Sequence, residues 1–207
     1  MAEKNSVAIA DALAALAAGE AIVYPTETFY ALGVDALSLR ALDRLFAIKG
    51  REPGKPVALI AADTAMAFTV AREVPAPARV LAQAFWPGPL TLVLPARAEI
   101  PAPLVGVDGG VGVRVSSHPI ARALAAELRR PLTATSANLA GEPPASEIEM
   151  ARRAFAGKIK VFVEDGALTG GSPSTVVALD RGGIRILRPG AVTERQLAAA
   201  LEGGLSK

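Results

Sequence analysis

The amino-acid sequence predicts an α/β fold: a single layered domain in which helices flank a twisted, mixed β-sheet. Short apolar runs of strand length alternate along the chain with segments of helical periodicity, as they do in layered α/β domains. Two late apolar runs, 174–179 and 184–187, flank a Gly-containing turn and predict a hairpin, and therefore an antiparallel strand pair. The 207 residues contain no repeat and no linker, so we expect one domain over residues 1–207.

The first half of the chain predicts three strands and three helices in alternation. The strands are the apolar runs 21–24, 57–60 and 90–94. The first helix ends at Gly19, and the second begins after the N-cap Ser38. The apolar residues of these two helices and the bounds of the third are, in order, Val7 to Ala17, then Leu42, Leu45 and Phe46, then 77–85.

The second half repeats this alternation around one long loop. Further strands are predicted at 111–115, 132–135 and 160–163. The helices are 119–130, which starts at a proline suited to the first helical position, 146–155, and 193–201, capped by Thr193. The Gly- and Pro-rich segment 101–112 is predicted as a loop within the domain.

Composition excludes several classes of function. The chain has no cysteine, which excludes disulfides, thiolate nucleophiles, iron–sulfur clusters and the usual zinc-finger sites. No run approaches the roughly 18 apolar residues that a membrane span needs, so we expect a cytoplasmic protein without a membrane partner. A net charge of +2, with scattered basic residues, does not by itself indicate a nucleic-acid binder. The sequence also lacks the common phosphate-loop, dinucleotide and nucleophile-elbow motifs.

Polar clusters that follow predicted strands are the candidate binding residues, because ligands of open α/β sheets lie beyond strand ends. After the first strand, the run Thr26-Glu27-Thr28 offers hydroxyl and carboxylate groups to a polar ligand, although a capped turn is the alternative. Lys49 lies at the end of a buried helical stripe and, with Arg51 and Lys55, offers cations to an anion. A solvated helix C-terminus is the alternative for Lys49.

Other candidates lie in the second half. Arg114 occupies an inward position in an apolar strand and needs an anionic partner, which is either a ligand or a structural salt bridge. His118, the sole histidine, is expected to cap the following helix and cannot form a two-histidine metal site. The remaining candidates, each also compatible with turn chemistry, are Ser136, Asn138, Ser174 and Arg188.

Six short motifs occur in the order of one known family. They are YPTETFYALG, KGR followed by KP, VRVSSHP, TSAN, SPSTVV and ILRPG. In this order and spacing the chain resembles the YrdC-like threonylcarbamoyl-AMP synthases over roughly residues 6 to 190, in their short, single-domain form. The resemblance implies a YrdC-like fold and a reaction in which L-threonine, bicarbonate and ATP give L-threonylcarbamoyl-AMP and pyrophosphate, with Mg²⁺ accompanying ATP.

The resemblance also implies roles for individual residues. The implied threonine-binding residues are Thr28, Arg114, Ala134 (through its backbone) and Ser174. The implied nucleotide-binding residues are Arg51, Lys55, Ser136, Asn138 and Arg188, and Lys49 and Arg51 carry the catalytic signature. Three positions depart from the common family pattern: Lys55, Ile60 and Pro144. These departures bear on individual ligand contacts rather than on the class of reaction.

The implied partners are threonylcarbamoyl-transferase proteins, which pass the group to adenosine 37 of tRNA, with tRNA or double-stranded RNA as a further candidate. Two alternatives remain. A carbamoyl-adenylate module of hydrogenase maturation normally belongs to a much longer chain with acylphosphatase and zinc-finger segments. A non-catalytic tRNA- or rRNA-binding module would need phosphate contacts but no threonine pocket.

Overall fold

The structure, a computed structural model, describes residues 2–50, 56–139, 141–180 and 183–205. Its strands are β1 Ile22–Tyr24, β2 Ala31–Gly33, β3 Ala58–Ala61, β4 Leu90–Pro95, β5 Gly110–Val115, β6 Leu132–Ser136, β7 Val161–Phe162, β8 Thr175–Asp180 and β9 Gly183–Arg188. Its helices are α1 Ala2–Ala17, α2 Leu39–Lys49, α3 Thr64–Thr69, α4 Ala76–Phe85, α5 Pro119–Leu128, α6 Ile148–Ala154 and α7 Glu194–Leu205, with a 3₁₀ turn at Ala102–Leu104. No helix in these ranges is long and apolar enough to cross a membrane.

The strands form one mixed sheet in the order β7-β1-β2-β6-β3-β5-β4-β8-β9. The pairs β1/β7, β3/β5 and β4/β8 are parallel, and the other neighbours are antiparallel. The predicted α/β fold with a mixed sheet is therefore confirmed. The predicted hairpin is also confirmed in its two strands, β8 and β9, while residues 181–182 of its turn lie outside the described ranges.

Two elements are absent from the sequence-based prediction, β2 and α3. Strand β2 is only three residues long and contains Gly33, which is a weak strand former. It pairs with β1 and with β6, about a hundred residues away, and the Tyr24 ring lies so close to Gly33 that a Cβ there would come within 2.6 Å of Tyr24 Cε1. Long-range pairing thus stabilises a segment that has little local strand preference. Helix α3 has six residues, too few for a periodic pattern, but Asp63 caps it by accepting the Met66 N–H at 2.7 Å.

The register places alternate residues on opposite faces of the sheet, and helices cover the two faces differently. On one face, Ile22, Ile60 and Leu132 pack against apolar residues of α1 and α5. On the other face, Leu59 and Val113 belong to a larger apolar cluster that includes residues of α2, α3, α4 and α6. Both layers bury aliphatic rather than aromatic side chains for the most part, in agreement with an aromatic content of 4%.

Helices α1 and α5 cover only part of their face. The rest of that face carries small residues at neighbouring positions, namely Ala58, Gly112 and Ala134. A Cβ on Gly112 would lie 3.4 Å from Thr91 Cγ2 and 3.7 Å from the Ala58 backbone. Even one added methyl group would therefore be in contact with neighbouring strands. An open depression over these small residues is the result.

The contact between Tyr24 and Gly33 predicts the effect of a methyl group. In Gly33→Ala, the new Cβ would lie 2.5 Å from the Thr133 carbonyl oxygen and 2.6 Å from Tyr24 Cε1, so the sheet must shift. We expect a loss of about 1–3 kcal/mol in the free energy of unfolding, measured by chemical denaturation. Gly203→Ala, in α7 with nothing within 4 Å of its Cβ, is the control and should be neutral or slightly stabilising. Equal stabilities of the two variants would contradict the packing described for β2.

Candidate functional site

The depression over the small residues of the sheet is a cleft of about 530 Å³. This volume lies in the range usual for small-molecule sites. Its walls come from the segment after β1, the end of β6, the loop before β5, and strands β8 and β9. Six of the site residues that the resemblance implies line it, namely Thr28, Arg114, Ala134, Ser136, Ser174 and Arg188, and so does the further candidate Thr26. Residues that are far apart in the chain therefore converge on one cavity.

Arg114 is buried in the sheet and pairs with Glu27. Its Nη1 donates to Glu27 Oε1, and the Ser116 hydroxyl donates to Glu27 Oε2. The side chains of Arg114 and Glu27 are only 7% and 12% exposed, so the pair lies largely out of contact with water. Of the two partners considered for Arg114, a salt bridge is present, and Arg114 nevertheless borders the cleft.

The segment after β1 is a turn held by Thr26. The Thr26 hydroxyl donates to the Phe29 carbonyl oxygen at 2.6 Å and accepts from the backbone N–H groups of Thr28 and Phe29 at 3.3 Å. The capped turn considered for this segment is therefore present. The same turn leaves the Thr28 side chain on the wall of the cleft, with its hydroxyl 3.2 Å from that of Thr26.

Ser174 and Arg188 form the opposite wall. Arg188 Nη2 donates to the carbonyl and hydroxyl oxygens of Ser174 at 2.8 and 2.9 Å, and the Ser174 hydroxyl lies 3.1 Å from that of Thr91. Burial, followed by the like charge of Arg114, lowers the pKa of Arg188. The two guanidinium groups are thus within electrostatic reach of each other, and the cleft favours anionic groups.

Lys49 and Asn138 do not line this cleft, but both lie close to Ser136, which does. Lys49 Nζ donates to the Ser136 and Asn138 carbonyl oxygens at 2.7 and 2.5 Å and to Asn138 Oδ1 at 3.0 Å. These hydrogen bonds fasten α2 to the segment after β6. The solvated helix end considered for Lys49 is not what the structure shows. The roles of Lys49 and Asn138 toward a phosphate stay predictions.

Arg51 and Lys55 lie outside the described residues. The other two departures from the family pattern have different positions. Ile60 is fully buried in the layer between the sheet and helices α1 and α5, and it does not line the cleft. Pro144 does line the cleft, where it presents an apolar ring instead of a hydroxyl group.

His118 caps α5, as predicted. Its Nδ1 accepts the Ile120 N–H at 3.3 Å, and its Nε2 lies 3.1 Å from Asp165 Oδ2. Because Nδ1 accepts, the geometry assigns the imidazole proton to Nε2, which donates to Asp165. Burial lowers the pKa of His118, and the nearby Asp165 and Glu27 oppose that shift only in part.

Two residues that matter to the site were not singled out from the sequence, and a third was expected to have a different partner. Glu27 was a candidate ligand-binding residue, whereas it holds Arg114. Tyr30 fixes the segment that leads to Ser174, since its hydroxyl donates to the Gly166 carbonyl at 2.6 Å and accepts the Asp165 N–H at 3.1 Å. Thr91 is a buried polar residue within an apolar strand, and that was the one local signal available for it.

Comparison with known proteins bears on the same residues. The model of the Sua5/YciO/YrdC family, described as telomere recombination, matches residues 14–190. That range contains every residue lining the cleft. The chain belongs to the Sua5/YciO/YrdC family. The resemblance inferred from the motifs is therefore confirmed.

Individual members of the family agree with this assignment. A threonylcarbamoyl-AMP synthase of Chromohalobacter salexigens is 41% identical over 175 residues, 84% of this chain and 94% of that protein. The threonylcarbamoyl-AMP synthase of Pyrococcus abyssi is 38% identical over 172 residues, 83% of this chain but 51% of that protein. This chain thus spans about half the length of the Pyrococcus relative. The crystal structure of P. abyssi Sua5 complexed with L-threonine superposes with a TM-score of 0.89 at 35% identity, over 93% of this chain and 57% of that one.

The capping role of His118 predicts a pH dependence of stability. The folded-state pKa of His118 is lowered, so the unfolded chain binds the proton first as the pH falls. The contribution of neutral His118 is complete above its unfolded pKa of about 6.5 and is lost as the pH falls below that value. His118→Asn keeps a capping acceptor and does not titrate. Between about pH 7.5 and about pH 5.5, we expect the free energy of unfolding to fall more steeply for the wild type than for this variant. Equal slopes in denaturant titrations would contradict the assignment.

Proposed function

We propose that this chain is an L-threonylcarbamoyladenylate synthase, a nucleotidyltransferase. It converts L-threonine, bicarbonate and ATP into L-threonylcarbamoyl-AMP, pyrophosphate and water. The observation that carries the proposal is the convergence of two arginines and several hydroxyl side chains on one cleft. The arginines are Arg114 and Arg188, and the hydroxyl groups include those of Thr28, Ser136 and Ser174. Relatives named threonylcarbamoyl-AMP synthase, and a family structure that binds L-threonine, support the choice of substrates.

Threonine is proposed to bind at the Arg114 side of the cleft. A guanidinium group presents parallel N–H donors that match a carboxylate, and the Arg114 side chain is fixed by Glu27 before any ligand arrives. Thr28 and Ser174 supply hydroxyl groups on the cleft wall, and the backbone of Ala134, which also lines the cleft, is proposed as a further contact. These contacts recognise the carboxylate and the hydroxyl group of a small amino acid.

ATP is proposed to bind along Ser136 and Arg188, with Arg51, Lys55 and Asn138 as further contacts. Arg188 supplies a positive charge on the cleft wall, and Lys49 orders the Ser136 to Asn138 segment through hydrogen bonds to both residues. Within the described ranges, no group of three or more acidic or histidine side chains is placed to hold a metal ion. Mg²⁺ is therefore proposed to enter on the phosphates of ATP, the usual mode for this ion, and to neutralise their charge.

The reaction needs no nucleophile from the protein. The threonine amino nitrogen first forms a bond to the carbon of bicarbonate, and a C–O bond of bicarbonate breaks as water leaves, which gives a carbamate. A carbamate oxygen then forms a bond to the α-phosphorus of ATP. The bond from that phosphorus to the bridging oxygen breaks, and pyrophosphate leaves with the electron pair. The chain's own contribution is to hold the two reactants in line and to balance charge, for which Arg188, Lys49 and Arg51 are the proposed groups. The product would pass to a transferase that modifies adenosine 37 of tRNA, in the cytoplasm.

The test is pyrophosphate release from ATP and Mg²⁺, with and without bicarbonate, comparing L-threonine, L-serine and no amino acid. The proposal predicts release that requires both threonine and bicarbonate. Arg114→Lys keeps the charge beside Glu27 but loses the planar fork, so the KM for threonine should rise by about tenfold or more, with a KM for ATP that changes far less. Arg130→Lys is the matched control, because Arg130 pairs with Asp35 at 2.9 Å outside the cleft.

Two results would contradict the proposal. One is a folded protein that releases no pyrophosphate in response to threonine. If that protein bound tRNA with an affinity that falls steeply with salt, the binding-module alternative would replace the synthase. The other is an Arg130→Lys variant that raises the KM for threonine as much as Arg114→Lys, since Arg114 would then have no special part in substrate binding.

A further inference from the structure

Glu27 stands beside the cleft without lining it. Its two carboxylate oxygens accept hydrogen bonds from Arg114 Nη1 and from the Ser116 hydroxyl, and Glu27 is not among the residues that line the cleft. The backbone of Glu27 is also held in place, because the Thr169 hydroxyl donates to the Glu27 carbonyl oxygen at 3.3 Å. Glu27 therefore places a fixed negative charge next to Arg114, the arginine that lines the cleft.

This charge changes what the cleft attracts. The charged side chains among the described lining residues are Arg114, Arg188 and Asp108. Asp108 is 82% exposed and lies 3.6 Å from Arg185, so its field is screened by water and by that partner. Without Glu27, two guanidinium groups would act on the ligand as an unbalanced pair of cations. With Glu27, the cationic side of the cleft is backed by a buried anion.

We propose that Glu27 is a specificity-determining residue, which makes the Arg114 site prefer a zwitterionic amino acid over a simple carboxylate. The proposal rests on the proposed function, because it takes the carboxylate of L-threonine to lie on Arg114. Glu27 acts through Arg114 and through its own field, and it does not touch the substrate.

The preference follows from the positions of the charges. In an amino acid, the ammonium nitrogen and the carboxylate carbon are both bonded to Cα, so only about 2.5 Å separates them. A carboxylate on Arg114 is repelled by Glu27, and an ammonium group beside it is attracted by nearly the same amount. For a zwitterion these two effects largely cancel, whereas an anion experiences only the repulsion. A unit charge about 7 Å away in a partly screened cleft changes a binding constant by about tenfold.

The experiment compares two ligands that differ only in the ammonium group. Isothermal titration calorimetry of the full chain would measure the affinities for L-threonine and for (R)-3-hydroxybutanoate, its analogue without the amino group. In the wild type we expect threonine to bind about thirtyfold more tightly or better. In Glu27→Gln, which keeps the shape and removes the charge, we expect this preference to fall about tenfold, mainly because the hydroxybutanoate binds more tightly.

Asp35→Asn is the matched control. Asp35 is also a buried carboxylate paired with an arginine, Arg130, but it does not line or back the cleft. The ligand preference of this variant should stay within about twofold of the wild type, since its charge is too distant to distinguish the two ligands.

The inference is overturned if Glu27→Gln keeps the wild-type preference while binding threonine, or if Asp35→Asn loses as much of it. If Glu27→Gln does not fold, as judged by circular dichroism, the wild-type protein decides: a preference below about threefold overturns the inference, and one of about thirtyfold supports it. A folded wild type that binds no threonine contradicts the proposed function itself, and this result is distinct from a threonine-binding protein with an unchanged preference.

Discussion

The buried pair of Arg114 and Glu27 is the interaction on which the rest of the site depends. Arg114 lies in β5, in the middle of the sheet beside Ile60 of β3, where an unpaired charge would be strongly destabilising. Its partner comes from the segment after β1, 87 residues away in the chain. Satisfying that charge therefore brings this segment over the open part of the sheet, and the turn that carries Glu27 also carries Thr28, on the wall of the cleft.

The fold could be predicted from the sequence wherever local pattern and tertiary structure agree. Helix α2 begins at its predicted cap, because the Ser38 hydroxyl accepts the Ala41 N–H, and Thr193 precedes α7 in the same way. Strand β2 could not be predicted, because the Tyr24 ring over Gly33 and the pairing with β6 stabilise it, and neither is visible locally. Short elements depend on such distant partners more than long ones do.

The candidate site was predictable in its residues but not in their partnerships. Position after a strand selected Thr28 and Ser136 correctly as cleft residues, because strand ends converge in a sheet, and Ser174 was selected at the start of a strand. The pairing of Glu27 with Arg114 and the bonds from Lys49 to Asn138 need the strand order, which alternation of helices and strands leaves open. The sequence therefore identified the right residues, although the polar cluster after the first strand offered the Glu27 carboxylate to a ligand instead of to an arginine.

The most direct test of this account is a crystal structure of the protein with L-threonine, a non-hydrolysable ATP analogue and Mg²⁺. The account predicts that the threonine carboxylate lies within hydrogen-bonding distance of the Arg114 guanidinium, with the contact between Arg114 and Glu27 intact and the triphosphate along Ser136 and Arg188. Threonine bound elsewhere, or an Arg114 side chain that leaves Glu27 to reach the ligand, would contradict it.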